Sequence, residues 1–187
     1  MTLEDLLESL NREIHACTKC PLSRTRLNAV PGEGPVNARV VLVGEAPGAK
    51  EDETGRPFVG KSGELLASLL KDVGLDRDEV FITSILKSRP PRNRAPRASE
   101  INACLPYLYR QLNLIDPTMI VLLGGVAIKS LAGNMKLSEC HGELHETNNH
   151  TFFMTYHPAA AMRFPRILDV MKSDFELLRR ELEMRGG

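Results

Sequence analysis

Residues 38–48 read Ala-Arg-Val-Val-Leu-Val-Gly-Glu-Ala-Pro-Gly, an apolar run that breaks abruptly into glycine and proline. The run at 38–43 predicts a short strand that is buried on both faces. Gly44 and the residues after it predict a loop that opens where the strand ends. A strand buried on both faces is typical of a parallel sheet covered by helices on each side.

Segments before and after this strand alternate between helical and strand patterns. Further strands are predicted at 80–86 and 118–123, with weaker candidates at 139–144 and 151–155. Helices are predicted at 2–16, 62–73, 99–115, 125–131 and 164–184. The alternation predicts a single α/β domain over residues 1–187, with three α/β/α layers around a mostly parallel, four-stranded sheet. Pro106 lies inside one helical pattern and predicts a bend or a split there.

Charge and composition limit the class of protein. Lys plus Arg and Asp plus Glu number 24 each, so the net charge of zero does not by itself indicate nucleic-acid binding, although a local basic patch can still bind phosphates. The acidic, amphipathic segment 1–15 is unlike a signal peptide, and no apolar run reaches membrane-spanning length. We therefore expect a cytoplasmic protein without membrane contact.

The loop at 44–60 carries two candidate site residues. Glu45 follows the first strand directly, a common position for a reacting carboxylate because ligands bind beyond the carboxyl ends of parallel strands. Phe58, between Pro57 and Gly60, could display its ring to stack on a flat base. The alternative is that Phe58 only caps the core.

Two further loops follow strand ends. Residues 87–97 hold five cations and three prolines, a stiff basic strip suited to phosphates, or alternatively an ordinary solvated loop. His157 follows the last predicted strand and could donate to an oxygen that gains charge in a transition state. A lone histidine is also often structural.

The four cysteines are Cys17, Cys20, Cys104 and Cys140. In a reducing compartment, the Cys-x-x-Cys pair indicates metal or redox chemistry more than a disulfide.

Four motifs in this order, preceded by Cys17-x-x-Cys20-Pro21, resemble the family-4 uracil-DNA glycosylases over nearly the whole chain. The motifs are Gly44-Glu45-Ala46-Pro47-Gly48 with Glu51-Asp52, Pro57-Phe58-Val59-Gly60, Arg89-Pro90-Pro91-x-Asn93-Arg94 and His157-Pro158-Ala159-Ala160. The resemblance implies hydrolysis of the N-glycosidic bond of uracil in DNA, after the nucleotide is flipped into a pocket.

The resemblance also implies residue roles. Phe58 would stack on the base, the backbone of Ala46 and Pro47 would contact it, and Glu51 would line the pocket. Glu45 is the candidate for positioning the attacking water, and His157 would stabilise the departing base. DNA contacts would come from Arg89, Arg92, Arg94 and Arg163, with Met162 as the wedge in the duplex. A monomer suffices, and a sliding clamp is a conceivable partner.

The chain departs from the family pattern in its second strand. Ser84 stands where the family has a base-reading asparagine, and it offers one hydroxyl instead of a donor and an acceptor. The change could admit hypoxanthine or xanthine, or leave a slow uracil enzyme. It also supports a second hypothesis, a DNA-binding relative without efficient cleavage.

The second departure concerns the 4Fe-4S cluster that the resemblance implies. Cys17, Cys20 and Cys104 match three of its ligands, but Ser88 stands at the fourth. Ser88 could bind the iron through its oxygen, Cys140 could supply the fourth thiolate, or one iron could lack a protein ligand. The chain could also hold no cluster, and a zinc site is a further alternative. A nucleotide-using α/β enzyme is disfavoured, because no Gly-x-Gly-x-x-Gly or Gly-Lys-Ser/Thr loop is present.

Overall fold

The helices and strands follow the predicted alternation in a computed structural model that describes residues 1–147 and 149–186. The strands are β1 (Val40–Gly44), β2 (Phe81–Ser84), β3 (Met119–Leu123), β4 (Leu144–Glu146) and β5 (Thr151–Thr155). The helices are α1 (Leu3–His15), α2 (Ala49–Thr54), α3 (Lys61–Asp72), α4 (Ala98–Ile115), α5 (Gly125–Leu131), α6 (Leu137–Cys140), α7 (Pro158–Ala161) and α8 (Pro165–Gly186). Short 3-10 turns cover Pro21–Arg24, Arg77–Glu79 and Pro91–Asn93.

The strands form one sheet in the order β2-β1-β3-β5-β4. Every neighbouring pair is parallel except β4 with β5, which is antiparallel. Gly44 pairs with Ser84 and Leu123 with Thr155, so the carboxyl ends of four strands meet at one edge. The loops after β1, β2 and β5 therefore lie next to each other, as the sequence predicts.

Alternate side chains of β1 enter two separate cores. Val41 and Val43 pack with α4 and α5 on one face, while Val40 and Leu42 pack with α3 and α8 on the other. The side-chain period of two along a strand explains this division. Helix α1 lies outside α4, where Leu10 contacts the cluster that contains Tyr107. This arrangement confirms the predicted three-layer α/β/α class.

The structure corrects several details. The described residues form five strands, not four, and the segment 139–144 is wrong as a strand: it holds the end of α6 and a turn before the short edge strand β4. The loop at 44–60 contains helix α2, which the high glycine and proline content concealed. Helix α4 begins at Ala98 and runs unbroken past Pro106, and the Glu100 carboxylate caps its first turn by accepting from the Arg97 N–H at 2.8 Å. Among the described residues, no helix is both long enough and apolar enough to cross a membrane.

Candidate active site

A cavity of about 490 Å³ opens at the carboxyl ends of β1, β2 and β5. Glu45, Phe58, Ser84 and His157, which are far apart in the sequence, all line it. The cavity has the size of a small-molecule pocket. Its remaining lining residues are Val30, Ala46, Pro47, Gly48, Glu51, Pro57, Ser62, Pro90, Asn93, Arg94, Ala159, Ala160, Arg163 and Phe164.

Phe58 is both a core residue and a wall of the cavity. Its backbone lies in the left-handed region (φ 48°), which costs a residue other than glycine on the order of 1–3 kcal/mol. Its ring packs so closely on Gly44 that a Cβ there would lie 2.6 Å from Phe58 Cζ. The ring also stacks with the His157 imidazole, with centroids 5.5 Å apart and planes 29° apart. Phe58 is therefore buried in the core and also lines the cavity, and its stacking on a base stays a prediction.

Arg77 holds the strained loop in place from outside the cavity. Its guanidinium donates to the carbonyl oxygen of Phe58 at 2.9 Å and to that of Pro57 at 2.5 Å. The same guanidinium pairs with Glu33 at 2.9 Å, and Glu33 also pairs with Arg56 at 2.8 Å. Sequence reasoning missed this clamp, because nothing in the local pattern connects residues so far apart.

Glu51 organises the loop with its carboxylate. The two oxygens accept from the backbone N–H groups of Gly48 at 3.1 Å, Val59 at 2.9 Å and Gly60 at 3.0 Å. These contacts tie the first turn of α2 to the segment that carries Phe58. Since the carboxylate is already engaged with backbone donors, the geometry gives Glu51 a positioning role at the cavity wall.

Glu45 has a different environment from Glu51. It is half-buried on the cavity wall, and burial raises the pKa of its carboxyl above the ordinary value of 4.5. A carboxylate with a raised pKa is a stronger base when it is ionised. Ser84, the last residue of β2, is buried beside it, and its Oγ would lie 3.3 Å from a Cβ on Gly44.

His157 caps the short helix α7. Its Nδ1 accepts from the Ala159 N–H at 3.1 Å, so the proton of the neutral ring is assigned to Nε2. Burial lowers the pKa of His157 to about 4, which keeps the ring neutral at physiological pH. Gly124, at φ 93°, allows this approach, because a Cβ there would lie 3.0 Å from His157 Cβ. The arrangement presents a neutral N–H donor at the cavity wall.

The basic strip at 87–97 divides into inward and outward cations. Lys87 is buried and donates to Thr83 Oγ1 at 2.5 Å, the Ser84 carbonyl at 2.9 Å and Gln111 Oε1 at 2.7 Å. Burial lowers the pKa of Lys87 to about 7. Lys87 thus supports β2 from within and does not reach phosphates.

The arginines of the strip differ in whether they line the cavity. Arg94 lines the cavity while its guanidinium makes a two-point contact with the buried Glu100, at 2.6 and 2.9 Å. Arg89 donates to Asn93 Oδ1 at 2.7 Å and does not line the cavity. Arg92 is exposed at φ 55°, also outside the lining. Arg89 and Arg92 therefore lie outside the cavity lining, and their contacts with DNA stay a prediction.

The turn after α7 presents apolar side chains beside the mouth. Met162, the predicted wedge, is 48% exposed and does not line the cavity, whereas Phe164 is 59% exposed and does. Arg163 lies between them on the cavity lining. Sequence reasoning missed Phe164, together with Ser62 at the start of α3. The only available signal for Phe164 was a large apolar residue next to Arg163.

The predicted metal ligands lie near Cys104, in the second turn of α4, and we call this region the cysteine corner (residues 15–20, Ser88 and Cys104). Burial raises the pKa of the Cys104 thiol, and Cys17 and Cys20 are close enough to add to that increase. Among residues 1–147 and 149–186, however, no three His, Cys, Asp or Glu side chains are grouped to hold a metal ion. Cys140 lies at the end of α6, where its charged neighbours are Glu139 and Glu143.

Comparison with known proteins identifies the family to which the chain belongs. Residues 31–182 match the family model of the uracil DNA glycosylase superfamily, and the chain belongs to that superfamily. The chain is 43% identical over 185 residues to a Type-4 uracil-DNA glycosylase of Sulfurisphaera tokodaii, covering 94% of this chain and 84% of that protein. It is also 43% identical over 180 residues to one of Pyrobaculum aerophilum, covering 91% and 92%. A Type-5 uracil-DNA glycosylase of the latter organism is 33% identical over 148 residues, covering 70% and 65%.

Proposed function

We propose that the chain is a monofunctional glycosylase that hydrolyses the N-glycosidic bond of uracil in DNA, the first step of base excision repair. The observation that carries the proposal is the single cavity that brings Glu45, Phe58, Ser84 and His157 together. The relatives named Type-4 uracil-DNA glycosylase support the same activity.

Capture of the base is the first step. A base inside a duplex is out of reach, so the nucleotide must be extruded into the cavity. There the Phe58 ring offers a stacking surface, and the backbone of Ala46 and Pro47 lies on the same wall. The Arg77 clamp and the Glu51 carboxylate hold this wall in its strained shape before the base arrives, which reduces the ordering cost of binding.

Cleavage then breaks the bond between C1′ and the base nitrogen. The bonding electrons leave with the base, and a water oxygen forms the new bond to C1′. Glu45, ionised and made more basic by burial, orients this water and accepts its proton. The proposed reaction uses no Schiff-base lysine; Lys87, the buried lysine nearest the site, is engaged by Thr83, Ser84 and Gln111.

His157 acts on the leaving group. Its Nε2–H donates to the base oxygen that becomes negative as the bond breaks. A neutral N–H donor suits this role, because its hydrogen bond strengthens as negative charge develops on the base oxygen. The hydrogen bond from Ala159 to Nδ1 fixes the tautomer that supplies the donor.

We propose that the DNA strand lies across the opening of the cavity. Arg163 lines the cavity, and phosphates of the flanking nucleotides would contact Arg163 and, outside the lining, Arg89 and Arg92. Met162 and Phe164 supply exposed apolar surface for the bases left unstacked by extrusion. Arg94, whose guanidinium is held by the ion pair with Glu100, would add positive charge that attracts the DNA phosphates.

Ser84 supports a second candidate, a DNA-binding relative with weak cleavage, and it also leaves the preferred base open to hypoxanthine or xanthine. The assay uses oligonucleotides that contain uracil, hypoxanthine or xanthine, followed by alkali to break abasic sites. Strand breakage on uracil is the expected result. A gel-mobility shift with no strand breakage on all three oligonucleotides would support the DNA-binding relative and contradict the proposed glycosylase activity.

The 4Fe-4S cluster implied by the resemblance does not fit the residues of the cysteine corner. Ser88 supplies a hydroxyl at the fourth position, and the Arg26 guanidinium donates to that hydroxyl at 2.9 Å. The thiols of Cys17, Cys20 and Cys104 are not grouped as a metal site in the part of the chain that the structure describes. We therefore assign no step of the proposed reaction to a cluster.

A further inference from the structure

Arg26 connects the separate segments of the cysteine corner. Its Nη1 donates to Ser88 Oγ at 2.9 Å. Its Nη2 donates to the carbonyl oxygens of His15 at 2.8 Å and Cys17 at 2.9 Å. One guanidinium thus joins the end of α1 and the Cys17 segment to the loop that follows β2.

Ser88 is the buried acceptor of the hydrogen bond from Arg26. The side chain is almost fully buried, so its oxygen depends on the protein for a hydrogen-bond partner. Iron–sulfur clusters are held by thiolates, and a neutral hydroxyl that accepts from a guanidinium is a poor substitute. A hydrogen bond from a charged donor is strong, and one of the three acceptors here is the buried Ser88 hydroxyl.

We propose that Arg26 fastens the cysteine corner in place of a thiolate-bound metal, and that the chain folds without a complete 4Fe-4S cluster. The guanidinium joins two of the segments that a cluster would join, the Cys17 segment and the loop that carries Ser88. Cys17, Cys20 and Cys104 then remain as thiols. The inference is independent of uracil excision, because it concerns metal content and stability.

The first test is the metal content of the full chain, expressed with ample iron and purified without oxygen. We expect no iron and sulfide in the proportion of a 4Fe-4S cluster, and no change in the melting temperature after anaerobic chelation. Iron and sulfide in cluster proportion, or a melting temperature that falls on chelation, would overturn the proposal.

The second test is thermal melting of Arg26→Met, which keeps an unbranched apolar stem but removes the guanidinium donors. We expect the melting temperature to fall by about 4–10 °C, because the buried Ser88 hydroxyl and two backbone carbonyls lose a charged partner. The matched control is Arg12→Met on α1, where the arginine makes only an exposed pair with Glu8 and the expected change is below about 2 °C. Equal changes in the two variants would contradict the proposal.

If Arg26→Met does not fold, Ser88→Ala provides the decisive variant. It removes one acceptor of Arg26 and leaves the two carbonyl contacts in place. We expect a fall of about 2–5 °C in the melting temperature. A melting temperature equal to that of the wild type would show that the contact does not hold the corner.

Discussion

The cavity and the cysteine corner both carry family motifs, but they have changed to different extents. At the cavity, Glu45, Phe58 and His157 are present and meet at one wall, and only Ser84 departs from the pattern. At the corner, Ser88 stands where the resemblance implies a metal ligand, and Arg26 donates to it directly. The proposed reaction depends on a particular geometry of reacting groups, whereas the corner needs only to hold segments together, which is why we propose that hydrogen bonds take the place of a metal there.

The largest expected effect is at Glu45. Glu45→Gln should lower kcat/KM for uracil excision by about 10²–10⁴-fold, because the amide cannot accept the proton of the water. In the wild type, only the ionised carboxylate is active, so the rate should fall as the pH drops through a pKa above 4.5. Burial lowers the pKa of His157 to about 4, so we assign the loss of rate on the acidic side of the pH profile to Glu45.

The control for this variant is Glu53→Gln, an exposed glutamate of α2 that pairs with Lys50. Its activity should equal that of the wild type over the same pH range. Similar losses in both variants would remove Glu45 from the reaction.

Phe58→Leu should lower kcat/KM by about 10–10²-fold, because leucine keeps apolar volume against Gly44 but lacks a flat ring for the base. Single-turnover rates at rising enzyme concentration would place the loss in base capture. Melting curves check that the core is intact. Full activity in a folded variant would contradict the stacking role.

Ser84→Asn should raise uracil excision by about tenfold, since the amide adds a donor and an acceptor at the base edge. The rate on uracil should rise more than the rate on hypoxanthine. Ser99→Asn, on the exposed first turn of α4, is the matched control. No gain in a folded Ser84→Asn variant would mean that the base edge lies elsewhere.

Arg77→Met should lower kcat/KM by about three- to tenfold, because the Phe58 loop loses the donor that holds its strained backbone. Arg56→Met is a close control, since Arg56 shares the partner Glu33 but makes no contact with the Phe58 carbonyl. If the ion pair with Glu33 were the important contact, both variants would lose kcat/KM equally. A larger loss in Arg77→Met than in Arg56→Met supports the contact between Arg77 and the Phe58 carbonyl.

The sequence predicted the layers of the fold better than the details of the site. The apolar runs of β1 and β3 are buried on both faces, and such runs identify central strands reliably. The strand β4 is short and part-exposed at the sheet edge, and it lacks a comparable signal. Helix α2 is hidden in a glycine-rich loop, because its stability comes from the contacts of Glu51 with distant backbone groups.

The positions of Glu45 and His157 could be predicted from strand ends alone. The left-handed backbone of Phe58 and its support by Arg77 could not, because they arise from contacts across 19 residues of sequence. The inward direction of Lys87 also escaped prediction, because a run of cations does not show which one is buried. Burial of a charge depends on tertiary partners such as Gln111.

The most direct test of the cavity as a base-binding site is a crystal structure of the wild-type chain soaked with uracil, the proposed product. We expect uracil in contact with the Phe58 ring, its oxygen within hydrogen-bond distance of His157 Nε2 and its edge against Ser84 Oγ. Uracil bound elsewhere, or a cavity that stays empty at saturating uracil, would contradict the assignment.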